Sequence, residues 1–181
     1  VLYPLGHAVQ ATMINRVINY AIIEEGGAKL LSAFRSIAES SAPALESIIH
    51  GAFVVADLLS TDKVARSGLQ LLRAFGQFSD AAVRTYGGWL EEMTARVRQV
   101  SEEGDLRADL DPAAVGETIV GAMLGAELLS DATSGDADLL GRVAMMWEIL
   151  LPAVVSDESL SYFREFLARE SLRHSPTSAT E

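Results

Sequence analysis

Val64-Ala65-Arg66-Ser67-Gly68-Leu69-Gln70-Leu71 sets an arginine and a glycine inside an apolar run. Ser60-Thr61-Asp62 before it is a helix-start signal, and Val64, Leu69, Leu72 and Phe75 return at helical intervals. Two other segments bear on the same reading. Tyr86-Gly87-Gly88-Trp89 opens a long amphipathic stretch, and Met146-Trp147-Glu148-Ile149-Leu150-Leu151-Pro152 is a tryptophan-bearing apolar segment closed by a proline. All three read as helix, and strand signals are weak throughout.

Outward from this stretch the chain reads as one all-α domain. Pro4 suits a first helical turn, followed by Ala8, Val9, Thr12, Met13, Val17 and Ala21. Glu24-Glu25-Gly26-Gly27 reads as a break, with a second helix from Lys29 to about Glu39. Ser40-Ser41-Ala42-Pro43 precedes a third, which carries Leu45, Ile48, Ile49, Phe53 and Ala56. Asp80 caps a long helix with Val83, Trp89, Leu90, Met93, Val97 and Val100, ending at Glu103-Gly104-Asp105. Asp111-Pro112 is the cleanest boundary, an N-cap followed by proline at the first helical position. That helix is expected to reach about Ser130. Another follows from Leu139 to Leu151, stopped by Pro152, and a last one from Asp157 carries Leu160, Phe163, Phe166 and Leu167. Residues 175–181 read as a disordered Ser/Thr-rich tail.

The 181 residues fit one domain of ordinary size. Hydrophobic residues make up 49%, more than one monomer core needs, so an internal pocket and a dimer interface are the natural places for the surplus. The net charge of −11, with the basic residues scattered, argues against DNA binding by this stretch alone. The absence of cysteine excludes disulfides and thiolate metal sites and favours an intracellular, cytoplasmic protein. No signal peptide is read, and no apolar run is expected to span a membrane.

The helix after Asp111 is apolar around most of its circumference yet holds Gly116, Gly121 and Gly125. Each glycine costs about 0.8–1.0 kcal/mol relative to alanine in a helix interior, so close approach by another helix is the natural reason for them. A central core helix and a helix held between pocket and partner subunit both fit. The second is favoured, because another apolar stripe follows at once. A homodimer is therefore expected through Gly121, Gly125 and Leu128 together with Leu139, Val143, Met146 and Leu150.

No catalytic or phosphate-binding motif is present, and neither an enzyme nor a cofactor is expected. His7, His50 and His174 are isolated in sequence, so no metal site is expected. Glu127, alone in an apolar run, reads as a paired structural carboxylate rather than a catalytic acid.

Arg66-Ser67-Gly68-Leu69, Trp89, Leu110-Asp111-Pro112, Met146-Trp147 and Leu151-Pro152, in this order, resemble the ligand-binding domain of TetR-family regulators, with the γ-butyrolactone receptors as the nearest subgroup. The resemblance runs from about Val64 to Leu167, and more weakly from Leu5 to Met13. It implies a ligand-binding and dimerisation domain over residues 4–174. Residues 1–3 look like the remnant of a helix-turn-helix domain that is otherwise missing and through which operator DNA would be bound.

By position Trp89 matches the family's pocket tryptophan, while Met13 and Leu124 fall where some members place polar side chains. The expected pocket joins these to Phe53, Phe75 and Met93, with His50 and Gln70 as polar contacts. The implied function is a ligand-responsive repressor, released from DNA by a γ-butyrolactone-like or more apolar effector and controlling secondary-metabolite genes. The alternative is a helical binding or dimerisation module with no DNA role.

Overall fold

The computed structural model describes the backbone of residues 4–38, 41–75, 79–135 and 137–174, and the side chains of these segments apart from residues 4–14 and 38. The expected remnant at 1–3, the expected tail at 175–181 and the side chain of Met13 lie outside the described residues. Among the described residues seven helices follow one another: α1 (Pro4–Ala38), α2 (Ala44–Thr61), α3 (Lys63–Phe75), α4 (Asp80–Glu102), α5 (Pro112–Ser134), α6 (Leu139–Val154) and α7 (Leu160–Arg173). The only β pairing among the described residues is one isolated bridge, Leu106 with Val155.

Local chemistry sets most helix ends. Asp62 Oδ1 accepts the backbone N–H groups of Val64 and Ala65 at 2.8 and 2.9 Å, opening α3. Its other carboxylate oxygen takes Lys29 Nζ at 2.9 Å, tying α3 to α1. Ser79, one residue before the expected Asp80, caps α4 by accepting from Ala82 N. Asp111 caps α5 through Ala114 N at 3.0 Å, with Pro112 in the first turn. Gly135, at φ 58°, closes α5 in the left-handed conformation, so the helix ends at Ser134, four residues beyond the expected Ser130.

The expected break at Gly26-Gly27 is absent: α1 runs 35 residues straight through it. The two glycines serve helix crossings instead. A Cβ on Gly26 would lie 2.9 Å from Gly68 Cα and 2.9 Å from the Val64 carbonyl oxygen, so α1 and α3 meet backbone to backbone. A Cβ on Gly27 would lie 2.6 Å from Thr85 Cγ2 on α4. Pro152 does not stop α6, which ends at Val154. It removes one helical hydrogen bond, the one its N–H would have given to the Glu148 carbonyl, and α6 continues for only two residues beyond it. The chain beyond is anchored by Arg107 N to Val154 O and Ser156 N to Asp105 O, at 2.9 and 2.8 Å. α7 begins at Leu160 rather than Asp157, because residues 157–159 form a turn whose Ser159 and Leu160 N–H groups both reach the Ser156 carbonyl.

The central helix is α2, not α5. It touches α1, α3, α4, α6 and α7 and buries Leu45, Ile48, Ile49, Phe53, Ala56 and Leu59. α5 is lateral: Val115, Gly116, Ile119, Glu127 and Ser130 face inward, while Leu128 and Leu129 are exposed. α2 and α5 are each long and apolar enough to cross a membrane by length and composition, contrary to the expectation that no run would be. Both are nevertheless packed into the bundle, α2 as its core and α5 through a buried charge pair described below.

Candidate functional site: an apolar cavity between α1, α2, α4 and α5

These crossings leave a space between helices. The empty space here is about 700 Å³ including open solvent at its mouth, and the cavity proper is about 100 Å³. α1 contributes Leu30, Leu31 and Phe34; α2 gives Ala52, Val55 and Leu59; α3 gives Leu69. α4 contributes Trp89, Glu92 and Met93, and α5 contributes Ile119, Val120, Met123, Leu124 and Glu127. Trp89 and Met93 share a wall because they lie one turn apart on α4.

The indole of Trp89 is held rather than loose. Its edge meets Tyr86 in a T-shaped contact with centroids 5.5 Å apart, and Nε1 donates to the Gly27 carbonyl at 3.4 Å. A Cβ on residue 27 would lie 2.6 Å from Thr85, one turn before Trp89, so the glycine lets α4 lie close to α1 here. The indole N–H is therefore directed at α1, and the ring's apolar area is what the cavity receives.

Both cavity carboxylates are already engaged. Glu127 is 2% exposed and accepts from Arg73 of α3 at 2.6 and 3.2 Å; Arg73 also holds Asp131 at 3.0 Å. This agrees with the structural, paired reading of Glu127. Glu92 accepts from Arg35 of α1 at 2.8 Å and from Arg96 at 3.2 Å. Burial pushes the Glu92 carboxyl up, but the two guanidiniums outweigh it and hold it below the usual carboxylate range. Burial also raises the Tyr86 phenol above its ordinary value. The lining thus offers a ligand dispersion contacts and very few free polar groups.

Of the eight expected pocket residues, Trp89, Met93 and Leu124 line this cavity together. Phe53 is buried in the core on another face of α2, stacked on His174 with centroids 5.3 Å apart. Phe75, at the end of α3, is 54% exposed and lines no part of the cavity. Gln70 is exposed and donates to Asp131, because α3 turns Leu69 inward and Gln70 outward. His50 points away from the cavity and pairs with Glu170 at 2.7 Å. The α1 wall, with Leu30, Leu31 and Phe34, was missed in sequence because the assumed break hid its register. An unbroken 3.6-residue period through the glycine pair was the available signal.

The expected interface set also divides. Leu139 and Val143 are buried in this chain's own core, at 1% and 0% exposure, and are unavailable to a partner. Met146 and Leu150 are half-buried against that core. The exposed large apolar residues of α5 and α6 are Leu128, Leu129, Met145 and Ile149. Gly121 and Gly125 face open space within this chain, unlike Gly116, whose Cβ would lie 3.2 Å from Thr94 of α4.

Residues 42–156 match the model of the tetracyclin repressor-like C-terminal domain, and the chain belongs to this family, one of regulators rather than enzymes. It is 31% identical over 127 residues to the A-factor receptor protein of Streptomyces griseus, covering 70% of this chain and 45% of that protein. It is similar in structure, with TM-score 0.66 and 28% identity, to TylP, a TetR regulator from Streptomyces fradiae, over 80% of this chain and 66% of that one. A γ-butyrolactone receptor described as ArpA-like shares the fold, with TM-score 0.72 and 22% identity over 86% and 73% of the two chains. The chain thus spans under half the length of the A-factor receptor protein that it matches.

Proposed function

We propose that this chain is the effector-binding and dimerising part of a transcriptional regulator, acting as a repressor that a small γ-butyrolactone-like molecule releases from DNA. The observation that carries this reading is the apolar cavity walled by Trp89, Met93 and Leu124 in a member of a repressor-domain family. The similarity to the A-factor receptor protein supports it. The lining suits an effector with a long aliphatic part, since Glu92 and Glu127 are engaged by arginines and the indole N–H by Gly27. DNA is read by a segment outside these 181 residues, in keeping with their net charge of −11.

The response is a population shift. An effector that favours one spacing of the helices around the cavity changes how two subunits present their DNA-reading segments, in proportion to its differential affinity. α5 suits this coupling because its inner face lines the cavity while Leu128 and Leu129 lie outside. The homodimer forms through these residues with Met145 and Ile149, and the open positions of Gly121 and Gly125 admit a partner helix closely. Sedimentation at micromolar concentration is expected to give a dimer, and Ile149→Asp a monomer. A monomeric unmodified chain overturns this part.

The cavity is tested by fluorescence in a Trp147→Phe background, which leaves Trp89 as the sole indole. Trp147 is fully buried and its Nε1 has no partner among the described residues, so phenylalanine forfeits volume but no hydrogen bond. A butyrolactone with an aliphatic side chain is expected to alter Trp89 emission. Calorimetry should show at least about tenfold weaker binding after a further Trp89→Ala change. Equal affinity with and without the indole, in folded protein, overturns the assignment.

A further inference from the structure

His50 and His174 are 124 positions apart in sequence, yet the fold brings both onto Glu170. One donor atom from each of the three residues lies within 4.8 Å of the others. His50 Nδ1, on α2, is 2.7 Å from Glu170 Oε2, and His174 Nε2, at the end of α7, is 3.6 Å from the same oxygen. The Glu170 carboxylate is buried, and Arg173 holds its other oxygen, Oε1, at 2.6 Å. His174 Nε2 is buried with no hydrogen-bond partner. An orphaned ring nitrogen beside a carboxylate costs free energy unless something supplies the missing bond.

We propose that His50, Glu170 and His174 form a binding site for a divalent transition metal, zinc(II) being the natural occupant. Two imidazoles and one carboxylate are a recognised zinc donor set. Bonds of about 2.0–2.1 Å to a tetrahedral ion separate its donors by roughly 3.3 Å. The spacings to Glu170 Oε2, 2.7 and 3.6 Å, bracket that figure, and the two ring nitrogens are at most 4.8 Å apart, so side-chain rotations can bring all three donors onto one ion. His174 is already oriented by its near-parallel stack on Phe53, with planes 15° apart. Arg173 fixes the carboxylate from outside, leaving Oε2 to the ion, the arrangement by which outer groups orient metal ligands. His50 is one-third exposed, so water can reach the fourth position. The bound ion would staple the end of α7 to α2, whose other face lines the cavity.

The test uses zinc(II) alone and the full chain, stripped with a chelator and dialysed against micromolar zinc. One zinc per chain is expected, with a raised melting temperature. Cobalt(II) in its place should give the visible absorption of a four-coordinate site. His50→Gln and His174→Gln should each weaken zinc binding at least about tenfold and remove the thermal shift while keeping the helical circular dichroism. His7→Gln should change neither. The proposal is overturned if the stripped chain retains no zinc at tens of micromolar, or if the His50 and His174 variants bind as the parent does. It is equally overturned if His7→Gln is the change that abolishes binding. Because the readouts are stoichiometry and spectrum, they are independent of whether the cavity takes a lactone.

Discussion

Gly68→Ala is the sharpest test of how α1 and α3 are held together. A methyl on residue 68 would lie 2.8 Å from Gly26 Cα and 2.9 Å from the Ile22 carbonyl oxygen. Both atoms are backbone, so no side chain can rotate away and the helices must separate. In an open helix position the same change stabilises by about 0.8–1.0 kcal/mol through helix propensity. Overpacking a tight contact costs roughly 1–3 kcal/mol, and rigid atoms on two sides place this site near the upper end. The net expectation is a loss of about 2 kcal/mol, which lowers the melting temperature of a domain this size by roughly 4–8 °C. Gly87→Ala on α4 is the internal control, because a methyl there would meet nothing within 4 Å, and it should gain stability. Thermal and urea unfolding followed by circular dichroism measure both. If Gly68→Ala is as stable as the parent, or more so, the crossing is looser than described and the account of the unbroken α1 fails with it.

Three further outcomes follow from the charge pairs and caps. Arg73→Met leaves the 2%-exposed Glu127 without its bidentate cation and should cost roughly 3 kcal/mol in urea unfolding, much of it recovered by adding Glu127→Leu. Glu92 titrates below its unfolded range of about 4.3, so the stability it contributes is complete above that pH and is lost as pH falls through its lowered folded value. Arg35→Ala should move that acid limb of the stability profile to higher pH. Asp111→Ala removes the cap on Ala114 N and should cost about 1 kcal/mol, read as a small fall in melting temperature.

Helix ends were legible where one residue's chemistry decides them. Asp111-Pro112 acts through its own side chain and ring, and α5 begins on it; the end expected at about Ser130 instead falls at Ser134, before the left-handed Gly135. The glycine pair at 26–27 was illegible for the opposite reason. Its meaning depends on Gly68 and Thr85, which local sequence does not reveal as neighbours, so a residue that disfavours helix was read as ending one. Pro152 misled because it removes one α6 hydrogen bond, to the Glu148 carbonyl, without forbidding the two helical residues that follow it.

The cavity was half legible, and the division has a physical cause. Trp89, Met93 and Leu124 lie on faces that their own helix periods point inward, and Trp89 carried a family resemblance as well. Phe75 lies outside the cavity because a helical period does not say which residue is last to be covered: Leu72 is buried at 2%, while Phe75, the final residue of α3, is 54% exposed. Leu139 and Val143 failed because one apolar stripe can meet its own core or a partner, and sequence does not say which. α6 shows both at once: Leu139, Val143 and Trp147 face inward, and Met145 and Ile149 face out. The His50, Glu170 and His174 cluster had only one local trace, the four-residue spacing of Glu170 and His174 along α7. Its third member arrives from α2 through packing alone, so a reading that sought histidine pairs on one helix could not find it.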